Sequence, residues 1–262
     1  MKHLKFSITI LMLTILVAVS AFGRDERDVL YQVSTINALM KGVYEGEVPV
    51  SELSEHGDIG IGTFDALDGE MVVIDGTFYK MRVDGKAYPA EISEKTPFAV
   101  LTFFDSDNRL DINDVTSLDI LKKELDKLLP SKNLIYAFRV DGTFERVKFR
   151  TVARQDKPYR VLAEVVEDEK IFELDNVKGT LVGFKFPSFI NGMNVPGYHF
   201  HFISEDRSTG GHLLDCVLRR AVAHVDVTPG FFLVFPENGD FLTRDLAAAS
   251  GNDLAKVESG NE

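Results

Sequence analysis

Asp-Gly pairs recur at Asp68-Gly69, Asp75-Gly76, Asp84-Gly85 and Asp141-Gly142, each between short runs rich in Val, Ile, Phe and Thr. Glycine accepts the positive φ of a tight hairpin, so this punctuation predicts antiparallel strands joined by short turns. Further strands are expected over 97–104, 134–140 and 143–153, and a buried, glycine-punctuated strand in GTLVGFKFP from Gly179. Two segments break the pattern. Residues 27–40 and 116–129 read as helices; in the second, Leu118, Leu121, Leu125, Leu128 and Leu129 fall at helical spacing and Pro130 follows. The expected fold is therefore α+β, with two β-sheet-rich sub-domains and a few packed helices. Residues 24–165 would form the N-terminal sub-domain, and residues 166–262 the C-terminal one with its tail.

Residues 1–23 are expected to stand outside that fold. Lys2 and Lys5 precede the apolar run FSITILMLTILVAVSAF, and small residues and then Arg24-Asp25-Glu26-Arg27 follow it, which is the layout of a secretory signal peptide. The run is short for a membrane span of ~20 residues, so export and cleavage, to a periplasm or the medium, is preferred to a retained anchor. Cys216 is the only cysteine in the chain. No intramolecular disulfide is available, and the fold must rest on its core or on a metal. Cys216 itself, in the apolar stretch HLLDCVL, reads as a small buried residue rather than a reactive thiol.

With 29 basic and 41 acidic residues the formal charge is −12. A polyanion is bound by a basic face that displaces its counterions, so nucleic acid is excluded as a partner. A small anionic substrate would need positive charge concentrated locally, from a metal or a few arginines.

Three of the six histidines fall in GYHFHFISEDRSTGGHLLD: His199, His201 and His212. Side chains two apart on a strand share a face, so His199 and His201 point together while Tyr198, Phe200 and Phe202 point into a core. A loop over 204–209 would set Ile203 opposite Gly210 and His201 opposite His212. Three imidazoles then converge, as at a catalytic zinc with an open position, although an all-imidazole set also suits iron, nickel or copper. His56 and His224 have no such companions and read as structural.

The same segment, with HGDIGIGTFDALDGEM, TPFAVLTFFD and GTLVGFKFPSFINGMNVPG, resembles the bacterial alpha-acetolactate decarboxylases from about Leu30 onward. The resemblance implies a Zn2+ enzyme, a carboxy-lyase that converts 2-acetolactate into acetoin and carbon dioxide. His199, His201 and His212 match the metal ligands, and Glu70, Arg150 and Glu258 match catalytic positions. It also implies a homodimer, and a site lying between two β-sheet domains.

The chemistry is consistent with those residue types. Acetolactate is a β-keto acid, and loss of carbon dioxide sends an electron pair onto the ketone oxygen to give an enediolate. A Lewis acid chelated by the hydroxyl and ketone oxygens stabilises that charge, and a positioned acid then protonates one face. Glu70, after a turn, is a candidate for that proton transfer. Arg150 shares a strand face with Arg146 and Lys148 and would fork onto a carboxylate or enediolate oxygen. Glu258 lies in GNDLAKVESGNE, which carries no physical signal of folding back; only the resemblance places it at the metal. Two other readings compete. A cupin-like dioxygenase or isomerase would recruit Glu205 as a ligand after His199-x-His201, and an exported zinc-binding protein would use the metal only to hold a hairpin.

Overall fold

A computed structural model describes residues 28–237, 239–247 and 251–259. The predicted signal peptide, residues 1–23, lies outside the described residues. The first half of the chain runs β1 (Val29–Val33), α1 (Ile36–Met40), β2 (Val48–Pro49), α2 (Val50–Leu53), β3 (Ile59–Thr63), β4 (Glu70–Ile74), β5 (Thr77–Met81), β6 (Ala87–Pro89), β7 (Lys95–Thr96), β8 (Ala99–Thr102) and β9 (Asn108–Val115). It continues through α3 (Leu118–Asp126), β10 (Tyr136–Thr151), α4 (Leu162–Val165), β11 (Lys170–Phe186), β12 (Gly197–Ser204), β13 (Gly210–Val227), β14 (Gly230–Val234) and α5 (Gly251–Ser259).

Two sheets carry the α+β fold. One has seven strands in the order β14-β1-β8-β3-β4-β5-β6, and the other five in the order β10-β11-β12-β13-β9. β13 also pairs along β10, so β10 to β13 form a closed circuit of neighbours. β2 and β7 pair apart from both.

The sheets pack because alternate residues of their strands serve different cores. On β4, Val72 and Ile74 join Ile59, Ile61, Val182, Phe184 and Ile203 in a cluster between the sheets. Met71 and Val73 turn to a second cluster with Leu53, Phe64 and Leu101. A strand buried on both faces needs a continuous apolar run, and MVVI supplies one. Each fully buried side chain of this size contributes about 1.5–3 kcal/mol. The predicted leucine helix is present as α3, capped by the Ser117 hydroxyl, which accepts from the Ile120 amide; Leu121 and Leu125 are fully buried.

Three expectations are corrected. Residues 27–40 are not one helix: VLYQV forms β1, held between β14 and β8, and only after Ser34, at φ 62°, does Thr35 cap α1. Burial between two partners overrides the helical spacing there. Asp141-Gly142 is not a hairpin, because β10 runs straight through it. Gly142 is there for close approach: a Cβ would lie 2.7 Å from the Ala221 Cβ, and the Asp141 carboxylate is taken by Thr180 Oγ1 and Arg139 Nε. Finally, the sheets draw on both halves of the chain. β9 and β10 precede residue 166 yet belong to the five-stranded sheet, while β14 follows it yet joins the seven-stranded one. The predicted division at 165/166 therefore passes between adjacent strands of one sheet.

Candidate metal centre and pocket

The hairpin register is the expected one. His201 faces His212, Phe202 faces Gly211 and Ile203 faces Gly210. Phe200 and Phe202 turn into the core of the five-stranded sheet, with Tyr198 packed at its edge. His199, His201 and His212 turn the other way, toward the seven-stranded sheet, and all three are buried. Gly211 makes the arrangement possible. β13 passes so close to β10 that a Cβ at this position would sit 2.3 Å from the Arg150 carbonyl oxygen.

One nitrogen from each ring lies within 4.8 Å of the others, a spacing one ion can share. Backbone carbonyls orient two of the rings. His201 Nδ1 lies 2.8 Å from the Met71 oxygen, and His212 Nε2 lies 3.1 Å from the Glu258 oxygen. A carbonyl only accepts, so each of these nitrogens carries the proton and the other ring nitrogen, His201 Nε2 or His212 Nδ1, presents its lone pair. His212 Nδ1 is in turn 3.1 Å from His199 Nε2, while His199 Nδ1 is buried without a hydrogen-bond partner. Burial, helped by the Arg150 guanidinium, pushes His199 down to about 3; burial, the neighbouring imidazoles and Arg150 also hold His201 and His212 well below the usual imidazole range. Neutral, inward-facing imidazoles are the form that ligates a cation. The residues present therefore fit a metal.

The three other predicted site residues come to the same place from separate elements. Glu70 opens β4, with Oε2 3.8 Å from His201 Nε2. Glu258 lies on α5, with Oε2 4.0 Å from His199 Nε2. Burial pushes both carboxyls up to about 7, against the pull of Arg150 on each. Arg150 is paired with His212 across β10 and β13, and its Nη2 donates to the Val257 oxygen at 2.7 Å. Arg146, Lys148 and Arg150 do share a face, but only Arg150 is covered. α5 is docked rather than frayed: Val257 is buried beside Leu162, Val165 and Phe98. Together these groups enclose about 50 Å3, with an apolar wall that includes Leu67, Phe98 and Val152.

Glu205, the ligand the cupin-like reading requires, is exposed in the β12–β13 turn and pairs with Lys178 at 3.8 Å. That overturns the reading. His56 stacks on Tyr31, His224 Nδ1 meets Ser106 Oγ at 3.1 Å, and Cys216 is buried with its thiol pushed up to about 12. None of the three lines the pocket. Sequence reasoning missed Glu169, which pairs with Arg150 out of solvent, Nε to Oε2 3.3 Å. Within the acidic run from Glu164 to Glu173 nothing marks it out.

Comparison with known proteins agrees with this geometry. The family model described as alpha-acetolactate decarboxylase matches residues 30–248. The alpha-acetolactate decarboxylase of Methanosarcina mazei is 51% identical over 231 residues, covering 88% of this chain and 80% of that protein. The Bacillus subtilis protein of the same description is 44% identical over 217 residues, covering 83% of this chain and 85% of its own. The crystal structure of alpha-acetolactate decarboxylase from Bacillus subtilis strain 168 superposes with a TM-score of 0.86 at 41% identity, spanning 89% of this chain and all of that one.

Proposed function

Because the chain belongs to the alpha-acetolactate decarboxylase family, and is by that membership a carboxy-lyase acting on acetolactate, we propose that it works as a zinc enzyme through His199, His201 and His212. The observation that carries the proposal is the set of three buried, neutral imidazoles, two of them fixed by backbone carbonyls with their lone pairs inward. An all-nitrogen, thiolate-free set with room for further ligands is the donor set of a catalytic zinc.

When bound, the ion would supply Lewis acidity toward the substrate's hydroxyl and ketone oxygens and so stabilise the charge that builds as carbon dioxide leaves. The protein's own groups do the rest. Arg150, the one permanent cation lining the pocket among the described residues, is placed to hold an anionic oxygen by paired hydrogen bonds. The carbon–carbon bond to the carboxylate breaks, its electron pair moves toward the ketone oxygen, and a proton must then reach the carbon that lost carbon dioxide. Glu70 and Glu258, which burial raises to about 7 in the metal-free protein, are the two carboxyls at the pocket suited to hold and pass that proton. Their fixed positions beside His201 and His199 favour delivery to one face and hence one acetoin enantiomer. The apolar wall excludes water that would compete for that step.

The test is direct. Zinc-loaded protein given 2-acetolactate should release carbon dioxide and a single enantiomer of acetoin, read by chiral gas chromatography. His201→Ala should lose both metal and activity, whereas Arg150→Ala should keep the metal and lose activity. No turnover by a folded, zinc-loaded sample would sink the proposal. The same reading includes export, supported by the signal-like residues 1–23, and a homodimer, supported by the family resemblance. N-terminal sequencing of the secreted protein and light scattering check them; an uncleaved cytoplasmic chain or a monomer would refute them.

A further inference from the structure

We propose that Glu169, which does not line the pocket, is the positioning residue for Arg150, fixing the guanidinium so that its remaining N–H groups face the substrate. The inference rests on the decarboxylase reading of the pocket.

Glu169 owes its place to the chain around it. α4 and the turn after it bury Leu162, Val165 and Val166 in the cluster that also holds Val152 and Val257. The backbone leaves that turn at Glu169, with φ −56° and ψ 152°, and enters β11 at Lys170, which pairs with Thr151 of β10. Glu169 is thereby set one residue beyond the end of the ladder, beside Arg150. Its acidic neighbours face solvent: Glu167 meets Lys256 and Asp168 meets Arg160, with 60% and 70% of their side chains exposed. The Glu169 side chain is 3% exposed and that of Arg150 is 4%.

Burying a carboxylate this completely is strongly unfavourable unless it is paired. Arg150 is the cation it meets, with Nε 3.3 Å from Oε2. Nη2 already gives one N–H to the Val257 oxygen. The guanidinium is therefore held from two different elements, by a hydrogen bond at Nη2 and an ion pair nearest Nε, before any ligand arrives. The rest of the fork belongs to a residue that lines the pocket. Two parallel donors are what a carboxylate or enediolate oxygen pair requires. Reaction geometry is sensitive to such placement: an error of about 1 Å costs on the order of 100-fold.

A double-mutant cycle on the metal-loaded enzyme tests this. Glu169→Ala should lower kcat/KM by roughly 100-fold with zinc still bound, and Glu169→Gln, which keeps an acceptor at the same reach, by roughly 10-fold or less. In an Arg150→Ala background neither change should lower kcat/KM further. The same loss in both backgrounds, or full activity in metal-loaded Glu169→Ala, would overturn the proposal. If Glu169→Ala does not fold, Glu169→Gln with and without Arg150 decides it by the same comparison. A turnover-independent readout separates this failure from failure of the functional reading: the Arg150 Nε–H resonance, assigned by its loss in Arg150→Ala. It should exchange slowly with solvent in the wild type and rapidly in Glu169→Ala. Unchanged protection would refute the positioning role even in a protein that makes no acetoin, and a wild type without turnover would refute only the functional reading.

Discussion

Replacing Glu70 with glutamine should make the metal-free protein more stable at pH 8 than the wild type, although the residue belongs to the proposed catalytic set. Glu70 is 9% exposed, and burial raises its carboxyl from 4.5 to about 7, with Glu258 and Glu169 adding to the rise and Arg150 opposing it. In the unfolded chain the group ionises freely near 4.5. Below that pH both states are protonated and the native state carries no penalty. As pH climbs through 7, the unfolded state sheds its proton while the folded state must either keep it or bury a charge. Stability attributable to Glu70 is thus full below 4.5 and lost as pH rises through the folded value. A rise from 4.5 to about 7 corresponds to roughly 3 kcal/mol. Urea melts of chelator-treated wild type and Glu70→Gln should coincide near pH 4.5 and separate by about that amount at pH 8, the variant being the more stable. Zinc should shrink the gap, because a cation beside the carboxylate favours its ionised form. A difference that stays constant between pH 4.5 and 8 would show that Glu70 is not the buried, proton-retaining group described here.

Other outcomes follow from the same geometry. Glu205→Gln should keep full metal content and activity, since its partner is Lys178 at the surface; metal loss by elemental analysis would revive the cupin-like arrangement. Phe202→Ala removes a fully buried ring packed on Phe144 and Phe149 and should cost about 3–5 kcal/mol in a denaturant melt; a cost under 1 kcal/mol would contradict the packing. Cys216 should resist thiol reagents until the protein unfolds, and stoichiometric labelling of the native state would be inconsistent with its burial.

The metal centre was legible because it rests on two local rules. Strand alternation put His199 and His201 on one face, and a loop over 204–209 set the register that brings in His212. The leucine spacing of α3 was local in the same sense. What the sequence concealed is decided by tertiary contacts. Gly142 is as compatible with a hairpin as with a close strand crossing, and only Ala221 on the neighbouring strand distinguishes the two. β1 reads as part of a helix until β8 and β14 flank it. Glu258 came from family resemblance alone, because Phe98, Leu162 and Val165, which dock its neighbour Val257, lie far away in sequence. Glu169 is chemically the same as its exposed acidic neighbours, and it differs only in where the backbone leaves a turn.

The carbonyls of Val257 and Glu258 that hold Arg150 and His212 lie 107 and 46 residues from the side chains they hold, and the Met71 carbonyl lies 130 residues from His201. Pairings that distant in the chain close longer loops than a hairpin does, and that entropy must be paid before the contact rewards it. The three imidazoles, by contrast, are brought together by a single hairpin. During refolding a cation could therefore be captured by that hairpin before α5 closes over it, and recovery of metal binding would run ahead of recovery of catalysis. The order in which the molecule is built separates acquiring its ion from becoming an enzyme.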